Sequence, residues 1–169
     1  MPSEKNNICQ PIVLDNDDSS DVTKIFISAG YGRGAAVIEV SPVDHDFKTS
    51  TVWKNTYLKS KFASAVTKDG HVFGLDNGIM TCLSLADGTR KWKGGRYGHG
   101  QLIRLGDKLV VTSERGDIVL VAADTNAWVE LAKRDALTGR TWNHPAYSNG
   151  YLLVRNDRQA MCFELTVVE

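Results

Sequence analysis

The sequence predicts an all-β fold built from β-propeller blades, and two observations support this. Apolar runs of about four to seven residues, bounded by Gly, Asp and Asn, recur along the chain, and no stretch keeps a helical period. A strand, turn and strand pattern that opens at Gly70 returns at Gly106 and Gly150, at intervals of 106 − 70 = 36 and 150 − 106 = 44 residues. Intervals of this size are typical of propeller blades.

The clearest unit spans residues 70–92. Asn77-Gly78 is predicted to join two of its strands, because this dipeptide accepts the positive φ that a tight hairpin needs. A second turn at Asp87-Gly88 leads to Trp92. The same pattern in the next two units completes the set of predicted strands, which are 71–76, 79–85, 108–113, 117–122, 151–155 and 160–165.

A more degenerate unit precedes these three and ends at Trp53-Lys54, which echoes Trp92-Lys93. The chain therefore divides into a polar tail at 1–21, expected to be disordered because its acidic run buries too little apolar surface, and a repeat region at 22–169. The predicted units are about 22–54, 60–93, 98–133 and 142–165. A β-sandwich is the alternative for strands at this spacing, but a Trp recurring after the same turn favours a propeller. About four blades indicate part of a larger ring.

Composition excludes several classes of function. The 169 residues are 42% hydrophobic and 24% charged, as in a soluble globular domain. Twenty basic and twenty acidic residues cancel, so no field draws in nucleic acid or an anionic membrane. The chain shows no transmembrane run and no apolar core of a signal peptide at its start. Localisation stays open, and a periplasmic location is expected if a leader precedes this sequence.

Three cysteines, Cys9, Cys82 and Cys162, lie far apart in the chain. Cys82 and Cys162 occupy equivalent strand positions in two units, which predicts two small buried apolar residues rather than a disulfide. No spacing typical of a zinc site occurs, so no metal site is predicted.

The second turn resembles the blade signature of the PQQ-like β-propeller repeats, approximately Ala-x-Asp-x-x-Thr-Gly-x-x-x-Trp. The matching positions are Cys82, Ser84, Asp87, Gly88 and Trp92, so Gly and Trp are kept and the other three differ. The resemblance covers roughly residues 22–165. This bacterial family includes quinoprotein alcohol dehydrogenases and the propeller lipoprotein of outer-membrane assembly. The resemblance implies turns at Gly78 and Gly88 and indoles of Trp53 and Trp92 packed between blades.

The resemblance does not by itself imply an enzyme. A quinoprotein dehydrogenase would bring bound pyrroloquinoline quinone (PQQ), a catalytic Asp, a calcium site and adjacent cysteines. The sequence has no adjacent cysteines and no acidic cluster at calcium-loop spacing. We therefore predict no catalytic residue and no cofactor, with PQQ kept as the alternative.

Candidate binding residues precede the second strand of each unit. The segments 59–65, 96–101 and 142–145 are expected to be innermost strands that line the channel. They are rich in large polar and aromatic groups, and their convergence would form a site for a small polar or anionic ligand. The alternative is that these groups form solvated channel lining or hydrogen bonds between blades. The candidate residues are Lys61, His99, Gln101, Asn143 and His144.

The leading functional prediction is a non-catalytic binding or scaffold module that holds a protein partner or small ligand on its face or channel. One alternative is a fragment of a PQQ-dependent dehydrogenase, and another is a purely structural arc of a larger propeller. Terminal blades expose strand edges, so we also expect self-association or a protein partner at those edges.

Overall fold

The computed structural model describes residues 8–14 and 21–165, and within them all regular structure is β-strand. The strands form four antiparallel sheets, each with its strands in chain order from one edge to the other. The predicted all-β fold with propeller-type blades is confirmed. Each sheet is called a blade below and is numbered along the chain.

Blade 1 contains β1 (Ile12–Val13), β2 (Thr23–Ala29), β3 (Gly34–Val43) and β4 (Asp46–Asn55). Blade 2 contains β5 (Val66–Lys68), β6 (His71–Asp76), β7 (Ile79–Ser84) and β8 (Arg90–Arg96). Blade 3 contains β9 (Gln101–Leu105), β10 (Lys108–Thr112), β11 (Asp117–Ala122) and β12 (Glu130–Asp135). Blade 4 contains β13 (Ala146–Ser148), β14 (Tyr151–Arg155) and β15 (Ala160–Glu164).

The six predicted strands match β6, β7, β10, β11, β14 and β15 to within one residue at each end. Local turn chemistry explains the agreement. Asn77 and Gly78 have φ of 48° and 85°, and Asn149 and Gly150 have φ of 48° and 83°. Asn and Gly tolerate this left-handed region, so both hairpins form where the sequence places them.

The predicted tail at 1–21 is wrong at its centre, because β1 lies within it. Ile12 is the cross-strand partner of Phe26, and Ile12 and Leu14 pack against the core between blades 1 and 2. Two apolar residues thus supply the first strand of blade 1, and a third, Leu14, follows it. The rest of that predicted tail, at 1–7 and 15–20, lies outside the described residues.

The core consists of three apolar clusters, each between two consecutive blades. Phe26 and Leu83 meet between blades 1 and 2, and Phe73 and Leu109 belong to the cluster between blades 2 and 3. The third cluster, around Leu152, joins blades 3 and 4. Because side chains alternate along a strand, blades 2 and 3 each supply one face to the blade before and one to the blade after. No buried cluster in the described part of the chain joins blade 4 to blade 1.

Each blade has a row of cross-strand partners on the face turned away from the blade before it, which in blades 1 to 3 is the face that contacts the next blade. This row is called here the rung of the blade. In blades 1 and 2 the rung ends in an indole on the fourth strand. In blade 3 the register places Ala132 at that position, and in blade 4 the described chain has no fourth strand. The rungs are Phe26, Val37 and Trp53; Phe73, Cys82 and Trp92; Val110, Leu120 and Ala132; and Leu153 and Cys162.

The prediction that Cys82 and Cys162 are both buried is right for Cys82 and wrong for Cys162, although they share a rung position. Blade 3 covers the rung of blade 2, whereas no described blade covers the rung of blade 4. Burial accordingly raises the pKa of Cys82 to about 12. All three cysteines are free thiols.

A glycine with positive φ opens the third strand of each four-stranded blade, at Gly34, Gly78 and Gly116. The chain that leaves the fourth strand passes directly over it. A Cβ on Gly34 would lie 2.1 Å from the Asn55 carbonyl oxygen, and one on Gly116 would lie 2.1 Å from that of Leu137. These close crossings fix where each connection to the next blade begins.

Candidate functional site

The three segments predicted to be innermost strands are mainly connections between blades. The first strands of blades 2, 3 and 4 begin only at Val66, Gln101 and Ala146. The connections pair their backbone with turns rather than with strands, because they must cross from an outer edge to the next inner edge. The Asn77 amide donates to the Lys59 carbonyl at 3.3 Å, for example.

Gln101 holds these connections together at the start of β9. Its side-chain amide donates to the carbonyl oxygens of Phe62 and Trp142, each at 3.1 Å, and its Oε1 accepts from the Ser64 amide at 3.2 Å. Gln101 is only 2% exposed. One buried carboxamide therefore joins the connections before blades 2 and 4 to the first strand of blade 3.

Lys61 and His99 form the second contact among the predicted residues, with Nζ and Nε2 3.2 Å apart. His99 also lies against Phe62, with ring centroids 5.7 Å apart. Burial and the nearby Lys61 ammonium lower the pKa of His99, and Glu114 only partly opposes them. A neutral imidazole can accept the hydrogen bond from Lys61, so the contact suits the unprotonated form.

His144 joins the same group through Ser64, whose Oγ lies 3.2 Å from His144 Nε2. Partial loss of water around the ring lowers the pKa of His144, although the residue as a whole is exposed. Asn143 is half-buried, and none of the described hydrogen bonds links it to the other predicted residues. Phe62 links the two sets of residues, since its ring lies against His99 and its carbonyl accepts from Gln101. Four of the five predicted residues therefore belong to one group with Ser64, called here the axial cluster: Lys61, His99, Gln101 and His144.

Three further residues border the axial cluster. Phe62 and Trp142 lie in the predicted segments but were not among the candidate binding residues, and Glu114 was missed by sequence reasoning. Glu114 accepts from the His99 amide at 3.1 Å and from the Trp142 indole at 2.9 Å. Burial raises the pKa of Glu114, but these hydrogen bonds outweigh burial and hold it below its ordinary value. Glu114 lies in a polar turn of the sequence, where nothing local distinguishes it from a solvent-facing residue.

Asp76, the last residue of β6, is a buried carboxylate held by two lysines. Lys59 Nζ lies 2.9 Å from Oδ1, and Lys93 Nζ lies 2.5 Å from Oδ2. The Lys59 amide donates to Oδ1 at 3.0 Å as well. Burial raises the pKa of Asp76, but the hydrogen bonds from Lys93 and Lys59 outweigh it and lower that pKa. Asp76 thereby ties the connection into blade 2 to the body of that blade.

The motif residues lie at the boundaries between blades. Trp53 Nε1 donates to the Leu85 carbonyl in blade 2 at 2.7 Å, and Trp92 Nε1 donates to the Asp124 carbonyl in blade 3 at 2.9 Å. Gly88 faces Trp53, and a Cβ on Gly88 would lie 2.5 Å from the indole ring. Gly78 faces Gly98, and a Cβ on Gly78 would lie 2.8 Å from the Cα atom of Gly98.

The axial cluster can offer hydrogen bonds and one ammonium group to a polar ligand. Its Ser64 and His144 resemble a nucleophile and a base, but no described carboxylate orients His144. Within the described ranges, no group of three or more His, Cys, Asp or Glu side chains could hold a metal ion. No helix there has the length and hydropathy to cross a membrane.

Comparison with known proteins gives likeness in structure only. No protein family model matches the sequence, and no curated protein matches it. The crystal structure of BamB from Moraxella catarrhalis is similar with a TM-score of 0.61 and 19% identity, over 88% of this chain and 44% of that chain. This chain therefore spans less than half the length of that BamB.

Two computationally designed proteins are similar as well. Ika4 matches with a TM-score of 0.59 and 11% identity, over 98% of this chain and 100% of that chain. Ika8 matches with a TM-score of 0.55 and 12% identity, over 90% of this chain and 57% of that chain. Identities this low bear on the fold alone. The likeness to BamB supports a β-propeller-like fold, and membership of the PQQ-like family stays a prediction from the sequence.

Proposed function

We propose that this chain is a non-catalytic binding module of the PQQ-like propeller type, and that it holds a protein partner on the outer faces of blades 1 and 4. The outer face of a terminal blade is the one turned away from its neighbouring blade. The observation that carries the proposal is that both outer faces expose large apolar side chains. Exposed apolar patches of this kind mark protein interaction sites.

The outer face of blade 4 is formed by the rung that no described blade covers. Leu153 is 47% exposed and Tyr151 is 51% exposed, whereas Leu152, on the opposite face, is 1% exposed. Cys162 lies beside Leu153 as its cross-strand partner. Alternation along β14 thus places one buried apolar face and one exposed apolar face on a single blade.

The outer face of blade 1 has the same character. Val13 is 67% exposed and Ile27 is 36% exposed, while Phe26 between blades 1 and 2 is fully buried. Ile25 and Ile38 are cross-strand partners on this face and are half-buried. This sheet therefore has apolar side chains on both faces, as expected of a blade with neighbours on both sides.

A second copy of this chain fits both outer faces at once. In a two-fold dimer, blade 4 of each copy would cover blade 1 of the other, so both exposed faces would be buried in a reciprocal contact. Two copies of four blades would make a ring of about eight, within the range of closed propellers.

Light scattering across a range of concentrations tests this function. We expect the mass of a dimer, and we expect Leu153→Lys to yield monomers because it places a charge in the interface. Leu131→Lys is the matched control: Leu131 is 49% exposed but lies in β12 of blade 3, which is not a terminal blade. A monomer at every concentration, or equal disruption by Leu131→Lys, would contradict the proposed dimer.

A different measurement distinguishes the non-catalytic module from the alternative, a PQQ-dependent oxidoreductase. The polar atoms of the axial cluster are largely bonded to one another, and the Gln101 carboxamide alone makes three hydrogen bonds. This favours a role in joining blades. Dye reduction that requires added PQQ and calcium would overturn the non-catalytic proposal.

A further inference from the structure

The last strand of blade 4 has a free edge. β15 pairs with β14, and no strand in the described ranges pairs with its other side, where the other three blades have a fourth strand. The Leu165 amide donates to the Gly150 carbonyl at 2.6 Å, and the Asn156 amide donates to that of Gln159 at 2.9 Å. Because bonded pairs alternate along an antiparallel ladder, Ala160, Cys162 and Glu164 direct their backbone N–H and C=O groups away from β14.

A cleft of about 970 Å³ lies beside this edge, between blades 3 and 4. Its apolar lining comes from Val110 and Leu120 of blade 3 and from Leu152 and Phe163 of blade 4. Ala132 also lines the cleft, at the position where the rungs of blades 1 and 2 carry an indole. An alanine side chain cannot fill the space that an indole fills, so the outer part of this interface stays open.

The charged residues that line the cleft are mostly basic. One carboxylate, Glu164, lies among four cationic side chains. Lys133 is partly neutralised by Asp117 at 3.2 Å, and the Arg134 guanidinium lies 5.2 Å from the centroid of the Phe163 ring. The excess of positive charge remains and favours an acidic occupant. The four cationic residues are Arg104, Lys108, Lys133 and Arg134.

We propose that the β15 edge and this cleft form one groove for an extended acidic protein segment that carries a large aromatic side chain. The segment would pair with β15 as the missing fourth strand and insert alternate side chains into the cleft, with the aromatic ring opposite Ala132. Strand addition of this kind gains affinity from main-chain hydrogen bonds and specificity from pockets for alternate side chains. The inference rests on the proposed function, because it names a second surface of the same binding module.

A labelled peptide, Thr-Glu-Val-Trp-Val-Glu-Thr with blocked ends, is the probe. Its Trp and its two Glu side chains share the face of the strand that enters the cleft, where the cationic side chains lie. Fluorescence anisotropy with the full chain at low salt should give saturable binding. N-methylation of alternate residues on the pairing edge should abolish binding, and replacement of the acidic residues by Lys should weaken it about tenfold or more.

Two variants of the protein test the two halves of the groove. Ala132→Trp fills the cleft and should abolish peptide binding while the thermal midpoint stays equal or rises. Cys162→Pro removes an N–H that points away from β14, a position where a strand edge tolerates proline. It should abolish binding with the β-sheet spectrum unchanged. Val43→Lys is the control and should leave peptide binding intact: Val43 is 48% exposed at the end of β3 in blade 1 and belongs neither to β15 nor to the cleft lining.

The outcomes separate this inference from the proposed dimer. Peptide binding that survives both N-methylation and Ala132→Trp would overturn the groove, whatever the state of association. No binding by a chain that still dimerises through Leu153 would also overturn the groove and leave the proposed function standing. Peptide binding by a chain that stays monomeric would support the groove and contradict the dimer.

Discussion

The indole nitrogen of Trp92 donates a hydrogen bond to the carbonyl oxygen of Asp124, 2.9 Å away in the next blade. Trp53 makes the equivalent contact with Leu85 at 2.7 Å, and both pairs are separated by 32 residues in the chain. In each case the donor lies on a fourth strand and the acceptor lies before the fourth strand of the following blade. The blades are therefore joined by a repeated contact that is both apolar and hydrogen-bonded.

Trp92→Ala should destabilise the chain by about 3 kcal/mol, because a large aromatic group packed on Phe73 is lost together with its hydrogen bond. Trp92→Phe should cost less, since the ring contact is partly kept and about 1 kcal/mol is lost with the hydrogen bond. Urea unfolding of the two variants measures both values. A loss under about 1 kcal/mol for Trp92→Ala would mean that the indole does not support the interface.

Gly116→Ala should destabilise the chain by about 2 kcal/mol or more, because it adds a clash to an unfavourable φ. Gly116 has φ of 99°, and a Cβ there would lie 2.1 Å from the Leu137 carbonyl oxygen. Gly106→Ala is the control, because Gly106 has φ of 57° and a Cβ there meets no atom within 4 Å. Thermal unfolding should rank Gly116→Ala well below Gly106→Ala, and equal midpoints would contradict the close crossing.

Asp76→Asn should destabilise the chain by about 2 kcal/mol, because charge-assisted hydrogen bonds from Lys59 and Lys93 are lost. The pKa of Asp76 is lowered from 3.8, so its contribution is present above about pH 3.8 and disappears as pH falls through the lower folded-state value. Denaturant unfolding from pH 7 to pH 3 should show less acid sensitivity in Asp76→Asn. An unchanged acid profile would mean that other carboxylates dominate.

Acidification should also weaken the axial cluster. The pKa of His99 is lowered from 6.5 by burial and by Lys61, so the unfolded chain takes up the proton first as pH falls. Stability is therefore fully present above about pH 6.5 and decreases as pH drops through the folded-state pKa of His99. The pKa of His144 is lowered as well, so its protonation should reduce stability over the same pH range.

His99→Gln should flatten the part of this decrease that belongs to His99, measured as the unfolding midpoint in urea between pH 7.5 and 5. Gln stays neutral over this range and can still accept a hydrogen bond from Lys61. His45→Gln serves as the control because His45 is an exposed residue on the β3–β4 hairpin. An identical pH profile for His99→Gln and the parent chain would contradict the assignment.

The candidate site was only partly accessible to sequence reasoning. The repeat predicted that the segments containing the candidate binding residues occupy corresponding places in neighbouring blades. The structure brings together four of the predicted residues, although most of each segment is a connection rather than the innermost strand that was predicted: Lys61, His99, Gln101 and His144. Glu114 and Ala132 gave no such signal. The role of Glu114 depends on His99 and Trp142 from other parts of the chain, and that of Ala132 depends on the register of β12 against β11. That the axial cluster binds a ligand stays a prediction.

The sequence by itself determined the second and third strands of blades 2, 3 and 4 and the hairpins between them, because turns such as Asn77-Gly78 act on neighbouring residues and need no distant contact. Only the tertiary structure decided which apolar residues are buried. Cys82 and Cys162 share a rung position and a similar sequence context, yet only Cys82 is buried. Burial depends on whether another blade lies against that face, and stacking between blades is a long-range property that local pattern does not carry.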